Sequence, residues 1–549
     1  MGSCYLKVWL NIIITFIVVG SAYGETLRIG MVGEPDQLNP LYTFTMRSIY
    51  INRMTLRHFN HLGEGSKNVA QIFTKMPTFE NGLSKKKLIN KQWKVVSNWT
   101  IKKDVFWGDG QPVTCDDIKF SVDFAQNKNM TVAWPGYKKI QSVKSLDQKK
   151  KSCEIVFKSL EWNYNKQGFT WLIPKHLENP VYLKYNEQGA KAYMANTLYS
   201  VNPTHPGLYN GPYVVSEYKI GSHIILTPNK FNKDKKKLIN KIIFKFYSSS
   251  DSLQLSFKNK EIDMISMLGI NVEEAQRLKK YIKDNKLASI IKSNPSPRFK
   301  VISINLTHPI LKNKEIRQAL SYGFDKAKML KGLSNGVIKP VDHLLTKNDP
   351  WFTEDPKYVK KYRFNLVKSK KLIASIKKSL KKEKIHIEIL YPSGNPEFRY
   401  MSMFLKEQWK KIGIDLEPVR LDRRAMYDRI RKGNYDLAFT QMMREPEYLS
   451  RMRFHSESIP NKQRNYIGSN FSFWKNQKVD NILDSMPSEL SPQKRKNLIK
   501  QFLVQLTTDV PHIPISHGLE IEVIPNNLKG HRLFGTGYAS SNEVEKWHF

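Results

Sequence analysis

The stretch IHIEILYPSGNPEFRYMSMFLKEQWKKIGIDLEPVRLDRRAMYDRIRKGNYDLAFTQ, residues 385–441, decides the fold class of this chain. Ile385–Tyr391 reads as a strand. Pro396–Ile412 changes to helical spacing, with Tyr400, Phe404, Leu405, Trp409 and Ile412 as one buried stripe. Gly413–Arg420 is a second strand, Arg423–Lys432 a second helix ending at Gly433, and Tyr435–Gln441 a third strand. Helices joining successive strands over so short a span predict an open sheet with helices on its faces, an α/β fold.

The same style extends outward. Lys300–Leu306 reads as a strand leading into one helix from Asn313 to Leu333, with Ile316, Leu320 and Phe324 on its apolar face. Toward the N-terminus, Leu27–Val32 is a strand broken by the irregular loop Glu34–Pro40. Trp93–Ile101 alternates apolar and polar residues, and Gly108-Asp109-Gly110 makes a turn. Thr114 stands as an N-cap, with Asp116 and Asp117 in the first turn and Ile118, Val122 and Ala125 facing inward. Ser152–Phe157 is a strand, and Gly211–Tyr218 with His223–Pro228 forms a hairpin around Gly221.

Across 549 residues, 89 Lys and Arg stand against 49 Asp and Glu, a net charge of +40. Apolar residues at 40% exclude a disordered chain, and the length requires two or three domains. Met1–Gly24 has the layout of a cleaved secretory signal: basic Lys7, apolar Val8–Val19, then small residues ending in Ala22 and Gly24 before Glu25. Its apolar run is shorter than the roughly 20 residues that span a bilayer and contains Asn11, which argues against a membrane anchor. In an oxidising compartment Cys115 and Cys153 either pair or remain two separate buried thiols.

Motifs for catalysis are missing. The chain has no P-loop, no G-x-G-x-x-G after a strand, no H-E-x-x-H and no G-x-S-x-G elbow. His58 with His61, and His512 with His517, lack cysteine or carboxylate partners at metal-site spacing, so neither metal nor cofactor is expected. The lysine runs Lys85–Lys87, Lys149–Lys151 and Lys235–Lys237 are scattered, whereas a nucleic-acid binder concentrates charge on one element with stacking aromatics. A solvated, lysine-rich surface with no nucleic-acid partner is the expectation.

A set of segments then falls into a familiar order. Leu27-Arg28-Ile29-Gly30 precedes Glu34-Pro35-Asp36-Gln37-Leu38-Asn39-Pro40, and Asp109-Gly110-Gln111-Pro112-Val113-Thr114 precedes Asp116-Asp117. Gly211-Pro212-Tyr213, Glu261-Ile262-Asp263, Arg317–Tyr322, Tyr391–Pro396, Lys411–Ile414, Gly433–Leu437 and Pro511–Ile515 follow. Together they resemble the family 5 extracellular solute-binding proteins, the peptide-type receptors of ABC importers. Asn465–Gly468 and Lys478–Leu483 are similar to a branch associated with modified peptides and peptide antibiotics.

The resemblance implies a two-lobed periplasmic-binding-protein clamshell, type II-like, that performs no chemistry. Lobe I would comprise residues 25–68, 206–296 and 512–549, and lobe II residues 297–511, with an extra small domain, 69–205, packed on lobe I. It implies a monomeric periplasmic receptor that captures an oligopeptide or peptide-like solute and delivers it to an ABC permease of the inner membrane. The same scaffold could instead take a modified peptide, a sugar or a metal chelate. A different class, an exported polyanion-binding protein without a transport role, would use the charge directly.

Candidate site residues follow from the same resemblance. Phe44, Thr45 and Met46, just past the Pro40 loop, would supply backbone contacts to the ligand. A second contacting segment follows the Tyr435–Gln441 strand, where relatives carry G-W-x-x-D and the carboxylate pairs with a peptide α-amine. This chain has Gln441-Met442-Met443-Arg444-Glu445, with Glu445 in the aspartate's place and Met442 in the tryptophan's. Glu445 would hold an ammonium, Arg444 would grip a carboxylate or phosphate, or the two would pair on a surface loop.

Overall fold

The computed structural model describes residues 26–43, 45–62, 68–166, 171–233, 238–347, 349–381, 383–394, 396–443, 449–535 and 539–549. The leader Met1–Gly24, Phe44, the Lys235–Lys237 run, Asn395, Arg444 and Glu445 lie outside the described residues.

Ten strands form one mixed sheet. In chain order they are β1 (Thr26–Val32), β2 (Tyr213–Lys219), β3 (His223–Pro228), β4 (Lys241–Tyr247), β5 (Met264–Ile265), β6 (Ser289–Ile304), β7 (Ile385–Pro392), β8 (Ile414–Leu421), β9 (Leu437–Met443) and β10 (His512–Pro525). Side by side they run β8-β7-β9-β6-β10-β5-β1-β4-β3-β2. Strands β7, β8 and β9 come from the 385–441 stretch, with helices Pro396–Lys410 and Arg423–Arg431 between them. Strand β7 is parallel to both β8 and β9, as helical crossovers require.

Strands β6 and β10 are the structural spine, with 16 and 14 residues. They pair antiparallel in two blocks, Ser289–Pro295 with Leu519–Pro525 and Phe299–Ser303 with His512–His517, and the register shifts between the blocks. Pro295 and Pro297 carry no N–H, which breaks the ladder there. On one side of the break β10 pairs with β5; on the other, β6 pairs with β9 from Arg298 to Ile304. Separate apolar cores form on the two sides, one around Leu27, Ile29 and Phe244, the other around Ile302, Ile387, Leu405 and Trp409. The result is two lobes threaded by two strands.

A separate four-stranded sheet orders Ser84–Ile89, Gln92–Thr100, Ser152–Phe157 and Ile140–Ser145 side by side. Helix Cys115–Gln126 packs against it, and its capping residue Thr114 donates its backbone N–H to Asp117 Oδ2 at 2.8 Å. Cys115 and Cys153 form a disulfide that closes a 38-residue separation. A loop of that size removes about 4 kcal/mol of unfolded-chain entropy in the loop-closure treatment. Val95, Trp99, Ile118 and Ile155 from this unit share one apolar cluster with Leu27 and Ile29 of the first lobe.

Two elements differ from the sequence expectation. The single helix expected over Asn313–Leu333 is two, Lys314–Tyr322 and Lys326–Ser334. Asp325 breaks it by capping the second helix, its side chain accepting the Lys328 N–H at 3.0 Å. The strand expected at Lys300–Leu306 is the second-lobe half of β6, which begins at Ser289 and ends at Ile304.

Several recurring segments turn out to be internal struts. Arg28 grips Asp263 with two bonds, Nε–Oδ2 at 2.9 Å and Nη2–Oδ1 at 2.7 Å. Arg317 donates to the carbonyls of Leu311, Lys312 and Asp509, each at 2.8 Å. These guanidiniums tie the fold and leave ligand contact to other groups.

Candidate functional site

Where the sheet passes between the lobes, a cavity of about 170 Å³ opens. One water needs roughly 10–15 Å³ of such space, so the cavity has room for several. Met46, Met267 and Leu268 line it from the first lobe; Lys300, Gln441 and Met443 line it from the second. Ser296, Arg298, Gly518 and Glu520 form the floor along the crossing strands.

Strand alternation explains which side chains arrive. Register pairs Arg298 with Met443, Phe299 with Met442 and Lys300 with Gln441. Opposed residues share a face, so Arg298, Lys300, Gln441 and Met443 stand together on the cavity side. Met442 turns the other way and is buried among Val301, Leu449, Phe454 and Phe502. Thus Met46, Gln441 and Met443 meet at the cavity, whereas Met442 serves the core of the second lobe. Phe44, Arg444 and Glu445 lie outside the described residues.

Thr45 acts one step back. It caps helix Met46–Thr55, its hydroxyl accepting the Ser48 N–H at 3.4 Å and donating to Asp36 Oδ1 at 2.5 Å. Asp36 also accepts the Ser48 hydroxyl, so the loop Glu34–Pro40 fixes the start of the helix and with it Met46. Thr45→Ala is expected to cost about 1 kcal/mol in urea unfolding, the usual worth of such a cap; an unchanged midpoint would deny it that role.

Sequence reasoning missed Met267, Leu268, Ser296, Arg298 and Glu520. They come from distant segments that only the β6–β10 register assembles. One signal was present: in Arg298-Phe299-Lys300-Val301, charged residues alternate with apolar ones on a strand, which marks a face that is not core.

The electrostatics of the cavity are mixed and not simply basic. Lys300 is paired with Glu397 at the first turn of helix Pro396–Lys410. Glu520 is buried and accepts the Gly535 N–H at 3.1 Å. Behind Met267, Glu522 is fully buried, and burial beside it raises the Tyr50 phenol well above its ordinary range. Burial likewise lowers the Lys292 ammonium, which Glu522 partly offsets. His512 is buried beside Phe454 at the start of β10, where desolvation pulls it down to about 3 and keeps it neutral. Among the described residues no group of three or more His, Cys, Asp or Glu gathers as a metal site.

A family model, "Bacterial extracellular solute-binding proteins, family 5 Middle", matches residues 91–456. The chain belongs to this family. Its members are the solute receptors of ABC importers, not enzymes, and they work in the periplasm or outside the cell. No helix among the described residues of this family 5 receptor is long and apolar enough to cross a membrane. The oligopeptide-binding protein AppA of Bacillus subtilis is 21% identical, over 95% of this chain and 91% of its own length. The oligopeptide binding protein from Thermus thermophilus, solved with a pentapeptide, has a TM-score of 0.68 at 20% identity, covering 94% of this chain and 95% of that one. NikZ from Campylobacter jejuni, solved with Ni(L-His), has a TM-score of 0.70 at 22% identity, covering 95% and 99%. The two solved structures share the two-lobed architecture of this family 5 receptor.

Proposed function

We propose that this receptor captures an oligopeptide or peptide-like solute between its lobes and hands it to an ABC permease. The observation that carries this is the cavity at the lobe crossing, where flexible methionines stand beside polar groups. Met46, Met267 and Met443 adapt their shape to varied side chains, while Gln441 and Ser296 offer hydrogen bonds. A ligand touching both walls favours the closed arrangement, because only that arrangement makes both sets of contacts. The likeness to the oligopeptide-binding AppA and to the pentapeptide-bound Thermus protein supports a peptide; that to NikZ with Ni(L-His) supports a chelate as the second reading.

The lobe boundaries proposed are residues 25–68, 206–296 and 512–549 against 297–511, with 69–205 as the extra domain. The change of partner strands at Pro295–Phe299 favours a boundary near 296. A monomer exported by cleavage near Gly24 completes the proposal, with Glu445 kept as the α-amine partner and Arg444 as its rival.

Native mass spectrometry of the protein purified from the periplasm tests the ligand class directly. The expected result is a set of co-purified masses that fit short peptides, with saturable rebinding of a peptide pool that changes little with salt. Nickel or iron in the bound mass would favour the chelate. Binding confined to polyanions and lost at high salt would reject a transport receptor.

A further inference from the structure

The geometry points to Arg298 as the anchor for a ligand carboxylate, an assignment that rests on the peptide proposal and specifies it. Arg298 lies on the cavity face of β6, opposite Met443, and is solvent-exposed. Its backbone N–H is taken by Ser296 Oγ at 3.2 Å, which holds the chain at the break in the ladder. Among the described residues its guanidinium has no hydrogen-bond or ion-pair partner.

That isolation contrasts with its neighbours. Lys300, next on the same face, is engaged by Glu397, and Glu520 on the floor is buried and hydrogen-bonded to Gly535. The first-lobe arginine Arg28 is clamped by Asp263, and Arg317 by three carbonyls. Arg298 is thus a full positive charge with a planar five-donor fork, open to the cavity. Such a fork matches a carboxylate with two parallel bonds. The apolar walls of Met46, Met267 and Met443 reduce the water that would screen the pair. A carboxylate could arrive as a peptide's C-terminus or as an acidic side chain; the shared chemistry is the anion, and position along the ligand separates the sources.

The test compares three pools of di- to pentapeptides with the full-length mature protein. One has free C-termini and neutral side chains, one has the same sequences amidated, and one is amidated but carries Asp or Glu. Affinities are read by isothermal titration on wild type, Arg298→Met and Arg298→Lys, with melting curves as a folding control. The wild type should bind the free acids roughly 10–100-fold more tightly than the neutral amides. Arg298→Met should bring the free acids down to the level of the amides, lowering the amides far less than the acids, while Arg298→Lys keeps part of the preference. Recovery in the acidic amidated pool would make the anchored group a side chain, still on Arg298. Equal binding of all three pools by the wild type, or a preference for either carboxylate-bearing pool that survives Arg298→Met, overturns the anchor and leaves the peptide proposal standing. If the wild type binds none of the pools, the peptide proposal falls and the anchor with it. Should Arg298→Met not fold, the acid–amide comparison on wild type and Arg298→Lys decides alone.

Discussion

Replacing Trp162 with alanine is expected to loosen the lobes from one another while leaving each folded. Trp162 follows the strand Ser152–Phe157 of the four-stranded sheet, yet it packs into the second lobe. Its backbone N–H donates to the Pro487 carbonyl at 3.0 Å, and its ring lies 6.2 Å from that of Trp351. The Arg495 guanidinium sits 4.4 Å above the indole, held there by the carbonyls of Glu489 and Leu490. The residue is 5% exposed, so truncation removes a large apolar surface and a cation–π contact together. Tryptophan truncations at buried sites cost about 3–5 kcal/mol. Here Trp162 is the residue that the segment after the four-stranded sheet contributes to the second-lobe cluster, so the loss falls on the contact that joins the two. A shift of about 3 kcal/mol changes the open-to-closed ratio roughly 100-fold, and apparent affinity falls with the closed population. Small-angle scattering of Trp162→Ala should show a larger radius of gyration without ligand, with weakened peptide binding. An unchanged radius and affinity would remove Trp162 from any closing role.

How far the sequence carries can be traced residue by residue. The elements around Ile385–Gln441 were legible because each is short, regular and bounded by Gly, Pro or a capping residue, and the edges found lie within two residues of those read. The capped helix at Thr114 was legible because its signal is local. The spine was only half legible: Val301, Ile302 and Ile304 announce a strand, but Ser289–Pro297 is polar and proline-broken, so its length appears only through pairing with β10. Cavity residues fall in the same class. Met46 and Met443 were reached through the resemblance, whereas Arg298 and Glu520 depend on a register between segments more than 200 positions apart. The excess of lysine says little about the site, since the cavity sets Arg298 and Lys300 against Glu520 and carries little of the +40.

Glu522→Ala should be the more damaging substitution, because it removes the centre of a buried polar cluster that joins four segments. The carboxylate lies on β10 with no exposed side-chain surface, and the side chain of its partner His531, past the end of that strand, is equally buried with Nε2 2.6 Å away. Tyr50 and Ser540 donate their hydroxyls at 3.0 and 2.9 Å, and the Met267 backbone N–H donates at 3.1 Å. Lys292 reaches the His531 carbonyl at 2.9 Å from the facing strand β6. Helix Met46–Thr55, the Met267 turn, the spine and the C-terminal segment are therefore registered on one side chain. Burying a carboxyl group is costly, and the cluster persists because the donors converge on it; removing it takes the shared acceptor from the Met267 N–H and leaves the Tyr50 and Ser540 hydroxyls only each other. Breaking such an arrangement costs about 3–5 kcal/mol, a large part of a typical domain's stability. Glu522→Gln keeps an oxygen for Tyr50 and Met267, so its cost should fall to about 1–2 kcal/mol. Urea unfolding of the two variants reads the ranking, and an alanine variant within about 1 kcal/mol of wild type would contradict it. The functional corollary is separate: Met267 and Met46 line the cavity and are both positioned from this cluster, so Glu522→Gln should weaken ligand binding even where the fold survives. A glutamine variant with full affinity would limit Glu522 to stability and free the cavity wall from its control.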